Sequence, residues 1–166
     1  MDYRICSFLI SLMMITVSCD IARAENVKTV SVEGGYTRVG GYYSGMFQAA
    51  PVFGLRFIPF MTDYLHPDAS CTLASFRFSG NDNSQLLVSG IDAGINARYK
   101  VGIATPFAGA ALGMRYFYFH GKKTDEKIHT LKPALGLRAG VMMQINERLS
   151  AEVRSEYTAS SLSGER

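Results

Sequence analysis

Over residues 131–157, "LKPALGLRAGVMMQINERLSAEVRSEY", apolar side chains return at every second position. The odd positions are Leu131, Pro133, Leu135, Leu137, Ala139, Val141, Met143 and Ile145. Between them lie Lys132, Ala134, Gly136, Arg138, Gly140, Met142 and Gln144. After the break Asn146-Glu147-Arg148 the pattern resumes, with Leu149, Ala151, Val153 and Tyr157 against Glu152, Arg154 and Glu156. A period of two is the strand period, because successive side chains point to opposite faces of a sheet. The stretch therefore predicts two long antiparallel strands with one apolar face and one face of charges and glycines.

The same alternation recurs upstream. "KTVSVEGGYTR" sets Val30, Val32, Gly34 and Tyr36 against Thr29, Ser31, Glu33, Gly35 and Thr37. "VFGLRFI" sets Phe53, Leu55 and Phe57 against Gly54 and Arg56, with Pro51 and Pro59 at its ends, where a missing ladder bond does least harm. "MTDYLHPD" reads as a turn, and "SCTLASFRF" as a strand with mixed faces. After the loop "SGNDNSQ", Ile91, Ala93, Ile95, Ala97 and Tyr99 alternate with Asp92, Gly94, Asn96 and Arg98. "PFAGAALGMRYFYF" repeats the scheme with Leu112, Met114, Tyr116 and Tyr118 opposite Gly109, Gly113 and Arg115. Seven strands of bilayer-crossing length follow, with longer loops near Gly41, Asn81 and Thr124 and shorter breaks near His66, Gly102 and Asn146.

Residues 1–24 read as something else. Arg4, the apolar run Ile5–Val17 and the small-x-small triplet Ala22-Arg23-Ala24 make a secretory signal peptide, leaving residues 25–166 as one β-barrel domain. Lipidation at Cys19 is the lesser reading, since Thr16-Val17-Ser18 fits a lipoprotein cleavage box poorly. Cys6 and Cys19 leave with the signal, so Cys71 is alone and is expected to be a small, buried, inert side chain. Arg4 and Arg23 leave together with Asp2 and Asp20, so the net charge stays at +3, without the clustering of a nucleic-acid binder.

Alternation alone fits two all-β architectures. A soluble, lipocalin-like periplasmic barrel would turn its apolar face inward around an apolar ligand, lined by Leu135, Leu137, Ile91 and Ile95. An antiparallel up-and-down transmembrane β-barrel would turn that face to lipid. Three features favour the second. The polar parity carries Glu33, Arg56, Asp92, Arg98, Arg115, Arg138, Glu152, Arg154 and Glu156 among glycines, a mixture suited to a filled lumen in which guanidinium groups bridge carboxylates. Aromatic residues collect near strand ends (Tyr36, Phe57, Phe60, Tyr64, Tyr99, Phe107, Tyr116–Phe119, Tyr157), as interface girdles do. Long loops alternate with short turns.

The signal, the "GGYTRVGGYYSG" opening and the closing "NERLSAEVRSEY" hairpin resemble the small outer-membrane β-barrels of the OmpA/OmpX type. The resemblance covers most of residues 25–166. It implies about eight strands, with the Leu149–Tyr157 strand second to last, and a location in the outer membrane. It further implies a non-enzymatic barrel that presents surface loops for envelope structure, adhesion or host interaction. Outer-membrane lipid and lipopolysaccharide, the barrel-assembly machinery and host surface molecules would be its partners. The family expects a further loop and strand after Tyr157, ending in an aromatic residue, and this chain shows no such alternation there. Three explanations stay open: a chain cut short, a misread "SCTLASFRF" region, or an unusual closure.

Catalytic chemistry has weak support. His120, Asp125 and His129 flank or lie in the charged loop "HGKKTDEKIHT", but no base–nucleophile spacing is recognisable and histidines nine positions apart have no metal-ligand spacing. No catalytic, cofactor-binding or metal site is expected. Lys122, Lys123 and Lys127 of that loop are the candidates for contact with lipopolysaccharide or a host surface.

Overall fold

The computed structural model describes residues 7–19, 29–40, 44–80, 84–121, 127–146 and 149–161; the side chains of 7–19, 128, 149 and 161 are left aside. Eight antiparallel strands follow one another around a closed barrel: β1 (Ser7–Cys19), β2 (Thr29–Val39), β3 (Ala50–Ile58), β4 (Leu65–Arg77), β5 (Gln85–Arg98), β6 (Ala104–His120), β7 (Lys127–Gln144) and β8 (Leu149–Ser161). Each pairs with its chain neighbours, and β8 pairs with β1 from Ser7↔Ser161 to Cys19↔Leu149. Closure leaves the sheet without a free edge, which in lipid would cost several kcal/mol for each unpaired group.

The eighth strand comes from the N-terminal side. The sequence predicts seven strands and a vacant eighth position; Ser7–Cys19, read as part of a signal peptide, holds that position between β8 and β2. A second correction concerns β4. The expected turn through His66 ends earlier, and Leu65 already pairs with Ala97. Thr62 closes the turn, its hydroxyl accepting from the Leu65 amide at 2.9 Å while its own amide donates to the Leu65 carbonyl at 2.9 Å. At the β5–β6 connection Gly102 takes φ 61°, the left-handed geometry that a two-residue hairpin turn needs, and Val101 and Ala104 exchange backbone hydrogen bonds across it. These connections and the one after Gln144 share one end, here the turn end. The connections after Val39, Arg77 and His120 share the other, the loop end.

The faces fall as alternation requires. Ile91, Leu112 and Leu137 stand on the outer wall at 70%, 68% and 59% exposure. Leu135 and Ile95 stand there too, so the four residues expected to line a soluble barrel's cavity all point away from the lumen. Cys71 is likewise on the outer wall: it is exposed, not buried.

The lumen has two storeys. Toward the loop end it is apolar, packed by Val39, Ala50, Val52, Ala74, Phe76, Leu86, Val88 and Phe117. Phe47 closes over this cluster, its ring edge-on to Phe76 at 6.5 Å and to Phe78 at 5.8 Å. Backbone bonds from Gln48 to Arg77 (3.0 Å) and from Ser79 to Met46 (2.8 Å) hold the segment there. This explains the mixed faces of "SCTLASFRF", because Ala74 and Phe76 turn inward where the lumen is apolar. It also corrects two girdle assignments, since Phe107 and Phe117 are only 6% and 3% exposed and face inward. Phe76→Ala is expected to cost about 3–5 kcal/mol. The check is the temperature at which the barrel loses its compact form on a gel. Tyr64→Ala at the exposed turn end should hardly move it.

Candidate functional site

The second storey is ionic, and every strand from β2 to β8 supplies a charge to it. Glu33 comes from β2, Arg56 from β3, Asp68 from β4, Asp92 from β5, Arg115 from β6, Arg138 from β7, and Glu152, Arg154 and Glu156 from β8. Each sits on the inward parity of its strand, and all are buried.

Arg56 is the hub at one side. Its guanidinium donates twice to Glu152, Nη1 to Oε1 at 2.9 Å and Nη2 to Oε2 at 2.5 Å, the fork geometry that suits arginine and a carboxylate. Its Nε lies 3.2 Å from Glu33 Oε1, and its Nη1 lies 3.8 Å from Asp68 Oδ2. Arg154 takes the other Glu33 oxygen, Nη2 to Oε2 at 2.8 Å. Arg138 joins the far wall by donating to Glu156 Oε2 at 3.0 Å and to Asp68 Oδ1 at 2.8 Å. Arg115 donates to Asp92 Oδ1 at 2.6 Å, and its Nη2 lies 3.6 Å from Glu156 Oε1. Four guanidinium groups and five carboxylates thus form one connected set.

Glycine makes the room. A Cβ on Gly94 would sit 2.8 Å from Asp68 Oδ1, 2.9 Å from the Ala110 carbonyl and 3.0 Å from Arg138 Nη1. A Cβ on Gly90 would lie 2.7 Å from Arg115 Cζ. The interleaved glycines of the polar parity are seats for arginine.

Of the nine charges expected in the lumen, eight meet in this set. Arg98 does not. It is half-buried at the turn-end rim, where its Nε donates to the Thr62 carbonyl at 2.7 Å and its Nη1 reaches Met61 Sδ at 3.3 Å. Asp68 belongs to the set and was hidden in the expected turn. His66, on the same parity, is buried with its ring edge-on to Phe107 at 5.7 Å. Strand alternation of His66, Asp68 and Ser70 was the signal available for both.

His129 lies outside the lumen, exposed, with Nδ1 2.6 Å from the Tyr116 hydroxyl and its ring 4.9 Å from that of Tyr118. His120 pairs across the ladder with Lys127, which is exposed. Lys122, Lys123 and Asp125 fall outside the described residues.

In this network each carboxylate is held by at least one guanidinium group. Removing one partner strands a buried charge, which costs about 3–5 kcal/mol. Glu152→Gln is expected to destabilise the barrel by about that amount in urea unfolding from detergent micelles, because it removes the charge and one of the two acceptors that hold Arg56.

No family model matches the chain, and no curated protein matches it by sequence. Solved structures do match. Neisserial surface protein A is 8% identical with a TM-score of 0.50, over 94% of this chain and 96% of that one. Ail, the attachment invasion locus protein of Yersinia pestis, matches over 94% of this chain in two structures. One, in complex with the heparin analogue sucrose octasulfate, is 9% identical over 98% of that chain, with a TM-score of 0.45. The other is 10% identical over 97%, with a TM-score of 0.43. The likeness to Neisserial surface protein A shows a shared architecture, and the chain therefore has the fold of the small eight-stranded outer-membrane β-barrels.

Proposed function

We propose that this chain is a non-enzymatic outer-membrane barrel whose locked interior anchors surface loops that meet envelope or host molecules. The observation that carries the reading is the inside-out distribution of its side chains. The outer wall offers Phe53, Leu55, Leu73, Ile91, Leu112, Leu135 and Leu137 to the surroundings, while nine interlocked charges and an apolar plug occupy the lumen. A water-soluble barrel would expose that apolar wall at a large cost. A membrane barrel buries it in lipid. The filled lumen also argues for an anchor over a channel, since an eight-stranded barrel encloses only enough space for side chains.

On this reading the assembly machinery inserts the chain into the outer membrane, and the loop end faces outward. Lys122, Lys123 and Lys127 then belong to the outer surface. The leader reading of residues 1–24 is part of the proposal and has a structural consequence. Cleavage after Ala24 removes Ser7–Cys19 from between β2 and β8, and those edges then have to pair with another strand. An intact mass of the membrane-borne protein tests this directly. A mass lacking residues 1–24 is expected; a mass that includes them would make β1 a permanent strand.

The reading as a whole is tested in a Gram-negative host. The protein should fractionate with the outer membrane and migrate differently on a gel with and without boiling. Leu137→Arg, which puts a charge on the lipid face at about 2–4 kcal/mol near the midplane, should abolish that fraction. Purification from the periplasm without detergent would sink the proposal.

A further inference from the structure

Cleavage of the proposed leader would leave β2 and β8 as the two edges of an open sheet, and their geometry describes what can close it. β1 runs antiparallel to both, so β2 and β8 run in the same direction. Joined to each other, or to the same edges of a second copy in the same orientation, they would have to pair in parallel. Every ladder in the barrel is antiparallel, and parallel pairing is the weaker of the two. The gap is one strand wide, about 10 Å from β2 to β8. It therefore takes a single strand that runs from the loop end to the turn end.

The inward side of the gap is acidic. Among their buried residues, β2 and β8 carry Glu33, Glu152 and Glu156 against Arg154. One step of the ladder lies opposite two of these carboxylates: position 16 pairs with Glu33 on β2 and with Glu152 on β8. Residues directly opposite share a face, so a side chain brought to that step by an incoming strand would stand between the two. Arg56 reaches both carboxylates from β3, yet Glu33 Oε1 accepts no hydrogen bond among the described residues. Thr29 Oγ1 and Ser31 Oγ on β2, and Ser160 Oγ on β8, are likewise buried without a hydrogen-bond partner there. Leu12, Met14 and Thr16 bring no charge to the step or its neighbours. Buried acceptors and hydroxyl groups call for polar partners on the strand that closes over them.

We propose that the seam between β2 and β8 is a docking site for one β-strand of a polypeptide partner. That strand is apolar on its outward parity and polar on its inward parity, with lysine or arginine at the step between Glu33 and Glu152. Main-chain hydrogen bonds along both edges supply the binding, as in strand addition to an exposed sheet edge, and the cation sets the register. The inference rests on the leader reading of residues 1–24 and adds the chemistry of the strand that replaces them.

The test starts from the protein isolated from the outer membrane and its intact mass. A mass that includes residues 1–24 overturns the leader reading, and the site with it. With a mass that lacks them, the protein is unfolded in urea, diluted into non-ionic micelles and titrated with 13-residue strand peptides, the length of β1. One peptide carries lysine at the step between the two carboxylates, a second carries glutamate there, and a third is residues 7–19. The readout is the compact band on an unheated gel. The lysine peptide should restore it at a concentration about tenfold below the other two, the worth of one hydrogen bond to a charged group. A compact band without any peptide, equal restoration by all three, or restoration by none overturns the site and leaves the leader reading standing. A second measurement avoids refolding in two pieces: the full chain, made without export so that β1 stays in place, carries Thr16→Lys or Thr16→Glu. Thr16→Lys should raise the folded-to-unfolded ratio in urea about tenfold, and Thr16→Glu should lower it. A Thr16→Lys chain no more stable than the unaltered one overturns the cation at that step, whatever the peptides do.

Discussion

Arg56 reaches from β3 across the lumen to Glu152 on β8, and the rest of the barrel is arranged so that this pair and its neighbours can exist. A buried guanidinium is tolerable only when carboxylates surround it at hydrogen-bonding distance, because the loss of hydration is otherwise larger than any single attraction regains. Seven strands meet that demand together. The requirement fixes register, since a slip of one residue in any strand would carry its charge to the outer wall and an apolar side chain into the lumen. It also fixes composition: where arginine crosses a neighbouring strand, that strand carries glycine, as Gly90 does beneath Arg115 and Gly94 beside Arg138. The ionic lumen and the apolar wall are consequences of one alternation read from two sides.

The apolar storey complements the ionic one. Phe76, Phe117 and their neighbours fill the loop end of the lumen, and Phe47 folds over them. With water kept from that end, the ion pairs work in a medium of lower dielectric, where each attraction is stronger and each unpaired group is more costly. The connections after Val39, Arg77 and His120 leave from the capped end, so a closed scaffold stands beneath them.

Much of this was legible in the chain. Period-two alternation gave the faces of β2, β3, β5, β6, β7 and β8, and parity with glycine spacing picked out eight members of the charge set. What failed did so for identifiable reasons. Parity assigns a side chain to a face but not to a height along it, so Arg98, on the inward parity, was placed in the network although its strand carries it down to the rim. The inward face was assumed to be polar throughout, so Phe107 and Phe117 were put in a girdle when they belong to the lumen. Pro67 and Asp68 looked like turn chemistry, although Pro67 is outward on β4 and Asp68 is bound by Arg138. Cys71 was judged by the habits of soluble interiors, whereas its parity on β4, opposite to that of Asp68 and Ser70, carries it outward.

The position between β8 and β2 obeys different rules from the other seven. Ser7–Cys19 contains no charged residue, and both of its parities are largely apolar. Yet its backbone register sets Leu12 opposite Glu156, Met14 opposite Arg154 and Thr16 opposite both Glu152 and Glu33. Every other strand answers the lumen charges with a charge of its own. This one closes the ladder without joining the lock, so it contributes hydrogen bonds and none of the ionic cross-links that fix register elsewhere. A segment without charged residues takes no ionic cross-link with it on leaving. The seam without an ionic cross-link is thus the one at which the proposed leader cleavage would open the barrel.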